Sequence, residues 1–261
     1  MIERRRRAAA LAIGALLLTG CATIDNPATG RRETVLDTGF EQSIGAIARA
    51  QMGLTALTVG QVSNEQLGRV QRIGARLAAV SDRKDLDYQF GVVQEKTLNA
   101  FALPGGTIYV HSGLLEKATD EELTAVLAHE VGHVAARHAA KHLQADLGFA
   151  LLLHVASAAA DAGPDSIRVA NSVYGLIRNG YSREDELEAD RLAIRYTRRA
   201  GSPPEGLLSF FEKMLEEHPE GPLAQAASWR SSHPLTSERI EKAKTEIGRL
   251  EATDATGKEA G

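Results

Sequence analysis

The stretch 121–142, EELTAVLAHEVGHVAARHAAKH, decides how the rest of the chain is read. Leu123, Val126, Leu127, Val131 and Val134 recur at helical spacing, and Asp120, Glu121 and Glu122 supply an N-cap and an acidic first turn. The pattern predicts one helix over the whole stretch. On it His129 and His133 stand one turn apart, so both imidazoles can reach a single ion, while Glu130 is rotated by about 100° toward a water beside that ion. This is the geometry that a zinc hydrolase needs, provided a third ligand comes from elsewhere in the chain.

At 261 residues, 43% hydrophobic and 25% charged, the chain can bury a full core in one domain. Its single cysteine, Cys21, excludes an intrachain disulfide framework and a cysteine-rich metal site, so zinc has to be held by histidine and carboxylate. Arg4 to Arg7 and the apolar run Ala8 to Thr19 have the form of an export signal. Leu18-Thr19-Gly20-Cys21 resembles the lipobox of bacterial lipoproteins. Residues 1–20 are therefore expected to be a signal peptide, and Cys21 to carry a lipid that anchors the protein without a transmembrane helix. Losing 1–20 removes four Arg and one Glu, three positive charges net, and moves the formal charge from −4 to −7. A mildly acidic protein offers nucleic acid no electrostatic attraction. Ala22 directly after the lipidated cysteine resembles outer-membrane sorting.

The Pro, Gly, Thr and Asp content of 21–40 reads as a flexible tether, 41–252 as the folded domain, and 253–261 as a disordered tail. Helical patterns cover about Glu41 to Leu57 and Glu65 to Val80. Three extended stretches follow, Tyr88 to Val93, Thr97 to Ala102 and Thr107 to His111, the last two joined through Leu103-Pro104-Gly105-Gly106. They predict a small sheet beside the helices, whose edge at Asn99, Ala100 and Phe101 can hold an extended substrate by strand addition. His111 reads as a strand-end residue. The apolar run Leu147 to Ala160 is too short to span a bilayer and reads as a buried helix, with a membrane-contacting hairpin as the alternative. His138 and His142 fall opposite His129 on a continuous helix and are expected on a solvated face.

The third ligand is expected in Ser182-Arg-Glu-Asp-Glu-Leu-Glu-Ala-Asp190, at the start of a helix running to about Ala200. Glu186 and Asp190 share a face one turn apart. Glu186 can ligate the metal while Asp190 accepts the free ring N–H of a ligand histidine. Glu188 points elsewhere, toward solvent or Arg191 or Arg195.

NAFALPGG at 99–106, HEVGH at 129–133, SR-x-x-E-x-E-A-D at 182–190 and His233-Pro234 with Arg239 in HPLTSERI together resemble the HtpX-like and CAAX-prenyl-protease type of zinc metallopeptidases, a family with bacterial periplasmic lipoprotein members. The resemblance spans about Gln61 to Leu250. It implies an α+β, mainly helical, zincin-like domain with a small sheet packed beside the metal helix, one zinc ion on His129, His133 and Glu186, Glu130 as base, and Asp190 behind a ligand. Some members carry transmembrane spans or C-terminal helical repeats, and this chain departs from both.

The function expected is zinc-dependent endopeptidase cleavage of misfolded or misassembled envelope proteins, by a lipid-anchored enzyme on the periplasmic face of the outer membrane. His233 and Arg239 are candidates for stabilising the oxyanion. Arg239 could instead pair with Glu186 or Glu188, and His233 could fill the open zinc position and keep the enzyme latent. The rival is a chaperone-like or binding lipoprotein with a structural zinc, against which the intact Glu130 argues.

Overall fold

The computed structural model describes residues 21–54, 56–157, 163–216 and 229–255; the signal segment lies outside them. The central element is α4 (Asp120–Ala135), in which every residue from Glu122 to Ala135 is buried. Its cap is Thr119, one residue before the expected Asp120: Thr119 Oγ1 accepts from Glu122 N at 3.2 Å, and the Glu122 carboxylate accepts from Thr119 N at 2.9 Å. The reciprocal pair satisfies two N–H groups that a helix start leaves open.

Around α4 the order is β1 (Cys21–Asp25), β2 (Arg32–Leu36), α1 (Thr38–Gln51), β3 (Thr58–Val59), α2 (Asn64–Val80), β4 (Gln89–Val93), β5 (Ala100–Ala102), β6 (Thr107–His111) and α3 (Ser112–Lys117) before it. After it come α5 (His138–Leu147), α6 (Phe149–Ser157), α7 (Pro164–Asn179), α8 (Arg183–Arg199), α9 (Gly206–Glu216), α10 (Trp229–Ser232) and α11 (Ser237–Ala255). The fold is mainly helical α+β with a small sheet, as the sequence predicts. Strand order is β3-β4-β6-β5, with β4 and β6 parallel and β5 antiparallel to β6, so β5 is an outer strand and lies against α4. Among the described residues no helix is long and apolar enough to cross a membrane.

Four expectations are corrected. The tether expected at 21–40 is instead largely a hairpin, β1 on β2, docked on the domain. Leu36 is fully buried, and Arg191 and Arg195 of α8 donate to the carbonyls of Ala28 and Pro27. Proline and glycine gather at its turn, 26–31, while the flanking residues pair, so composition alone reads as linker. The first helix ends at Gln51 rather than Leu57, where Gly53 takes φ 71°. The last helix runs to Ala255, into the expected tail, of which 256–261 lie outside the described residues.

The fourth is the metal helix, which stops at Ala135 instead of running through His142. Arg137 takes φ 56° and ψ 35°, the left-handed conformation that costs a non-glycine residue about 1–2 kcal/mol. Its guanidinium offsets that cost with bonds to Glu41 Oε2 (2.8 Å), Leu36 O (3.0 Å) and Thr38 Oγ1 (3.1 Å). The apolar run 147–160 is likewise broken at Gly148 (φ 76°). Leu152 and Val155 are buried in α6 while Ala150 and His154 are exposed, and residues 158–160 lie outside the described residues.

Candidate active site

The helices α4 and α8 pack closely because Gly132 allows it: a Cβ there would stand 2.9 Å from the Ala189 carbonyl oxygen. That approach sets the acidic start of α8 over the two histidines. Ser182 caps α8 reciprocally with Asp185, which fixes where Glu186 falls. Gly180 (φ 83°) lets the chain enter α8 against Ser232, where a Cβ would meet the Ser232 carbonyl oxygen at 2.0 Å, and so brings His233 to the same place.

Four side chains converge there. His129 Nε2 and His133 Nε2 are 3.0 Å apart; Glu186 Oε2 is 3.5 Å from the first and Glu186 Oε1 3.4 Å from the second. His233 Nδ1 lies 3.0 Å from Glu186 Oε1 and 3.3 Å from His129 Nε2. All four residues are at most 2% exposed. A tetrahedral zinc with bonds of about 2.0–2.2 Å separates its ligands by about 3.3 Å. The donors stand at that spacing, and Glu186 Oε2 is buried without an aligned hydrogen bond. The residues therefore fit zinc.

Around the donors the charges are arranged in layers. Asp190 Oδ1 lies 2.9 Å from His129 Nδ1, the nitrogen facing away from the cluster. Burial alone would lower the His129 pKa, but the carboxylates of Asp190 and Glu186 outweigh it and raise it to about 9. Burial dominates at His133 and holds it well below the usual range. Glu186 is pushed up by burial and pulled further down by His233, His129 and His133, so its carboxyl stays ionised. Glu130 is buried and its pKa is raised, chiefly by desolvation, with His233 and His129 opposing. Its Oε1 is 3.4 Å from His233 Nε2.

Arg239 is placed differently from an oxyanion donor. It is fully buried, with Nε and Nη2 each 2.7 Å from an oxygen of Asp190, while Nη1 donates to Pro234 O at 3.2 Å and lies 2.7 Å from Glu186 Oε2. Its donors are committed to the carboxylates behind the histidines. Asn99, Ala100 and Phe101 are buried at the outer strand: Asn99 Oδ1 accepts from Ala100 N at 2.9 Å, and the Phe101 ring stacks on Tyr109 at 5.6 Å. The side chain of Phe101 thus belongs to the core. The neighbouring Ala102 backbone acts on Glu130 by lowering its pKa against the larger effect of burial.

Two expectations fail because the metal helix breaks at Arg137. His138 is fully buried, not solvated, and meets His133 ring to ring; His142 is half-buried and bonded to Asp185 at 2.7 Å. Glu188 faces His138 and Asn26, at 3.2 and 3.0 Å, rather than solvent or the arginines of its own helix. Sequence reasoning also missed Tyr181, stacked on His133 at 4.2 Å, and Trp229, stacked on His233 at 4.8 Å. Their only signal was position, next to the α8 cap and the His-Pro turn.

A buried pair of helix-borne histidines, a carboxylate from a second helix and a glutamate beside them define a zinc metallopeptidase. The chain belongs to Peptidase family M48, whose profile matches residues 64–247, and with it to the metalloendopeptidases that use zinc. It is 31% identical over 237 residues to Metalloprotease LoiP of Escherichia coli, covering 87% of this chain and 90% of that one. It is 34% identical over 175 residues to Mitochondrial metalloendopeptidase OMA1 of Schizosaccharomyces pombe, and 31% over 182 residues to a putative beta-barrel assembly-enhancing protease of Vibrio cholerae. Each of these two matches covers 66% of this chain, but only 50% and 37% of those longer proteins.

Proposed function

We propose that this metalloendopeptidase cleaves envelope proteins, with misfolded or misassembled chains as its substrates and a lipid on Cys21 as its anchor at the periplasmic face of the outer membrane. The observation that carries the reading is the convergence of His129, His133 and Glu186 with Glu130 buried beside them. The name of the Vibrio cholerae relative, a putative beta-barrel assembly-enhancing protease, supports the envelope as the place of action.

In this reading His129, His133 and Glu186 hold the zinc, which when bound supplies the Lewis acidity that activates water at neutral pH. Glu130 takes the proton of the attacking water and delivers it to the departing amine; its raised pKa suits a group that must both accept and return a proton. Asp190 holds the His129 ring, and Arg239 holds Asp190 and Glu186. The outer strand β5 offers its backbone to an extended substrate. Casein cleavage that is abolished by a chelator and restored by zinc is the direct test, and cleavage indifferent to chelator defeats the reading.

His233 supports a refinement. Its Nδ1, 3.0 Å from Glu186 Oε1 and 3.3 Å from His129 Nε2, would serve as a fourth donor to a bound zinc, and His233 would then have to leave before substrate enters. His233→Ala is expected to raise casein cleavage severalfold; a loss of tenfold or more would return His233 to the oxyanion role. A closed four-ligand sphere is also what a structural zinc has, which favours the chaperone-like alternative. Glu130 argues against that alternative, since a structural site gains nothing from a buried carboxylate whose Oε1 has no hydrogen-bond partner.

For the anchor, wild-type protein is expected in the membrane fraction with labelled palmitate incorporated, and Cys21→Ser in neither. Label retained by Cys21→Ser removes the lipid from this reading.

A further inference from the structure

His138 is a fully buried histidine for which the proposed chemistry has no use. Its Nδ1 lies 2.8 Å from Nδ1 of His133, and its Nε2 lies 3.2 Å from Glu188 Oε2 and 3.4 Å from Asp185 Oδ1. A histidine five residues on would stand about 140° round a continuous helix and could not make this contact. The left-handed turn at Arg137 is what folds it back.

We propose that His138 is a positioning residue that makes His133 a metal ligand, by accepting the proton His133 carries on Nδ1. The inference rests on reading His133 as a zinc ligand. A carboxylate only accepts, so Glu188 and Asp185 require the proton of His138 on Nε2. In the neutral ring that leaves Nδ1 of His138 with a lone pair. Two Nδ1 atoms 2.8 Å apart share one hydrogen, which then belongs to His133, and Nε2 of His133 is left bare toward Glu186 and His129. The acids on α8 thus fix the tautomers of two histidines in series.

His129 reaches the same condition more directly, with Asp190 against its Nδ1. The outer end of the His138 chain is held in turn: Glu188 Oε2 accepts from Asn26 Nδ2 at 3.0 Å, and Asp185 Oδ2 accepts from Ser182 Oγ at 2.7 Å. Tyr181, stacked on the His133 ring, keeps it from turning away.

The test is zinc affinity of the detergent-solubilised full chain, stripped of metal and titrated in competition with a fluorescent chelator. Wild type that binds no zinc would sink the ligand reading itself, a result separate from the one sought here. His138→Leu fills the space without an acceptor and is expected to weaken zinc binding by roughly 10–100-fold. His138→Asn sets an amide oxygen near the lost Nδ1 and is expected to recover most of it. Leu and Asn variants with equal affinity, or Leu within about threefold of wild type, would overturn the inference, because packing alone would then explain His138. Should the Leu variant not fold, histidine 15N shifts of the zinc-loaded wild type decide: the proton is expected on Nδ1 of His133 and Nε2 of His138. A proton on Nδ1 of His138 overturns it.

Discussion

Glu130→Gln is expected to keep one zinc per chain and to lower kcat for casein by about 10²–10⁴-fold, the share a general base commonly carries. The residue stands outside the four-donor cluster, so the amide leaves the ligands untouched. It is nearly isosteric and removes a buried, desolvated carboxylate, so the unfolding temperature is expected to hold or rise rather than fall. The three readouts separate the roles. Zinc lost together with activity would make Glu130 a ligand or a support for one. Activity within tenfold of wild type would remove it as the base, and with it the endopeptidase mechanism proposed for this site. The inactive, zinc-loaded protein would also hold substrates it cannot cut, so the envelope proteins that co-purify with it and not with wild type are expected to be its natural substrates.

How much of this could be read from the residues depends on whether a backbone stayed regular. The approach of α4 and α8 was legible because both are ordinary capped helices: a one-turn spacing of His129 and His133, and of Glu186 and Asp190, carries directly into space when the helix between does not break. The β5–β6 pairing was legible because the Leu103-Pro104-Gly105-Gly106 turn joins two extended stretches, whereas β3 (Thr58–Val59) lies in none of the predicted ones. What failed lay beyond Arg137. An arginine in the left-handed region has no signature in sequence, because its conformation is imposed by Glu41, Leu36 and Thr38, about a hundred residues away. Every helical angle counted from His129 past it is therefore wrong: His138 and His142 turn inward, and Glu188, expected toward solvent or Arg191 or Arg195, meets His138 instead. The hairpin 21–36 failed through composition: Asn26 looks like a linker residue, yet it is 1% exposed and binds Glu33 and Glu188.

Arg239 separates a structural role from a chemical one most sharply. It is fully buried, lies across the rings of Trp229 and Phe211 at 5.1 Å each, and is the cation facing two buried carboxylates. Replacing it by Met keeps the volume and leaves Asp190 and Glu186 without their counter-charge. Removing one partner of a buried pair costs about 3–5 kcal/mol, which for a domain of this size lowers Tm by roughly 6–20 °C. Zinc restores a cation to Glu186 but not to Asp190, so saturating zinc is expected to recover only part of the loss. Adding Asp190→Asn removes the orphaned charge and is expected to recover stability beyond Arg239→Met alone, although His129 then loses its acceptor and zinc affinity falls. Arg239→Lys keeps the charge without the two-pronged fit and is expected to fall between. An oxyanion donor would behave in the opposite way: kcat would drop while Tm stayed within about 2 °C of wild type, a shift of less than roughly 1 kcal/mol. That result would put the guanidinium back in the reaction and require it to leave Asp190 when substrate binds.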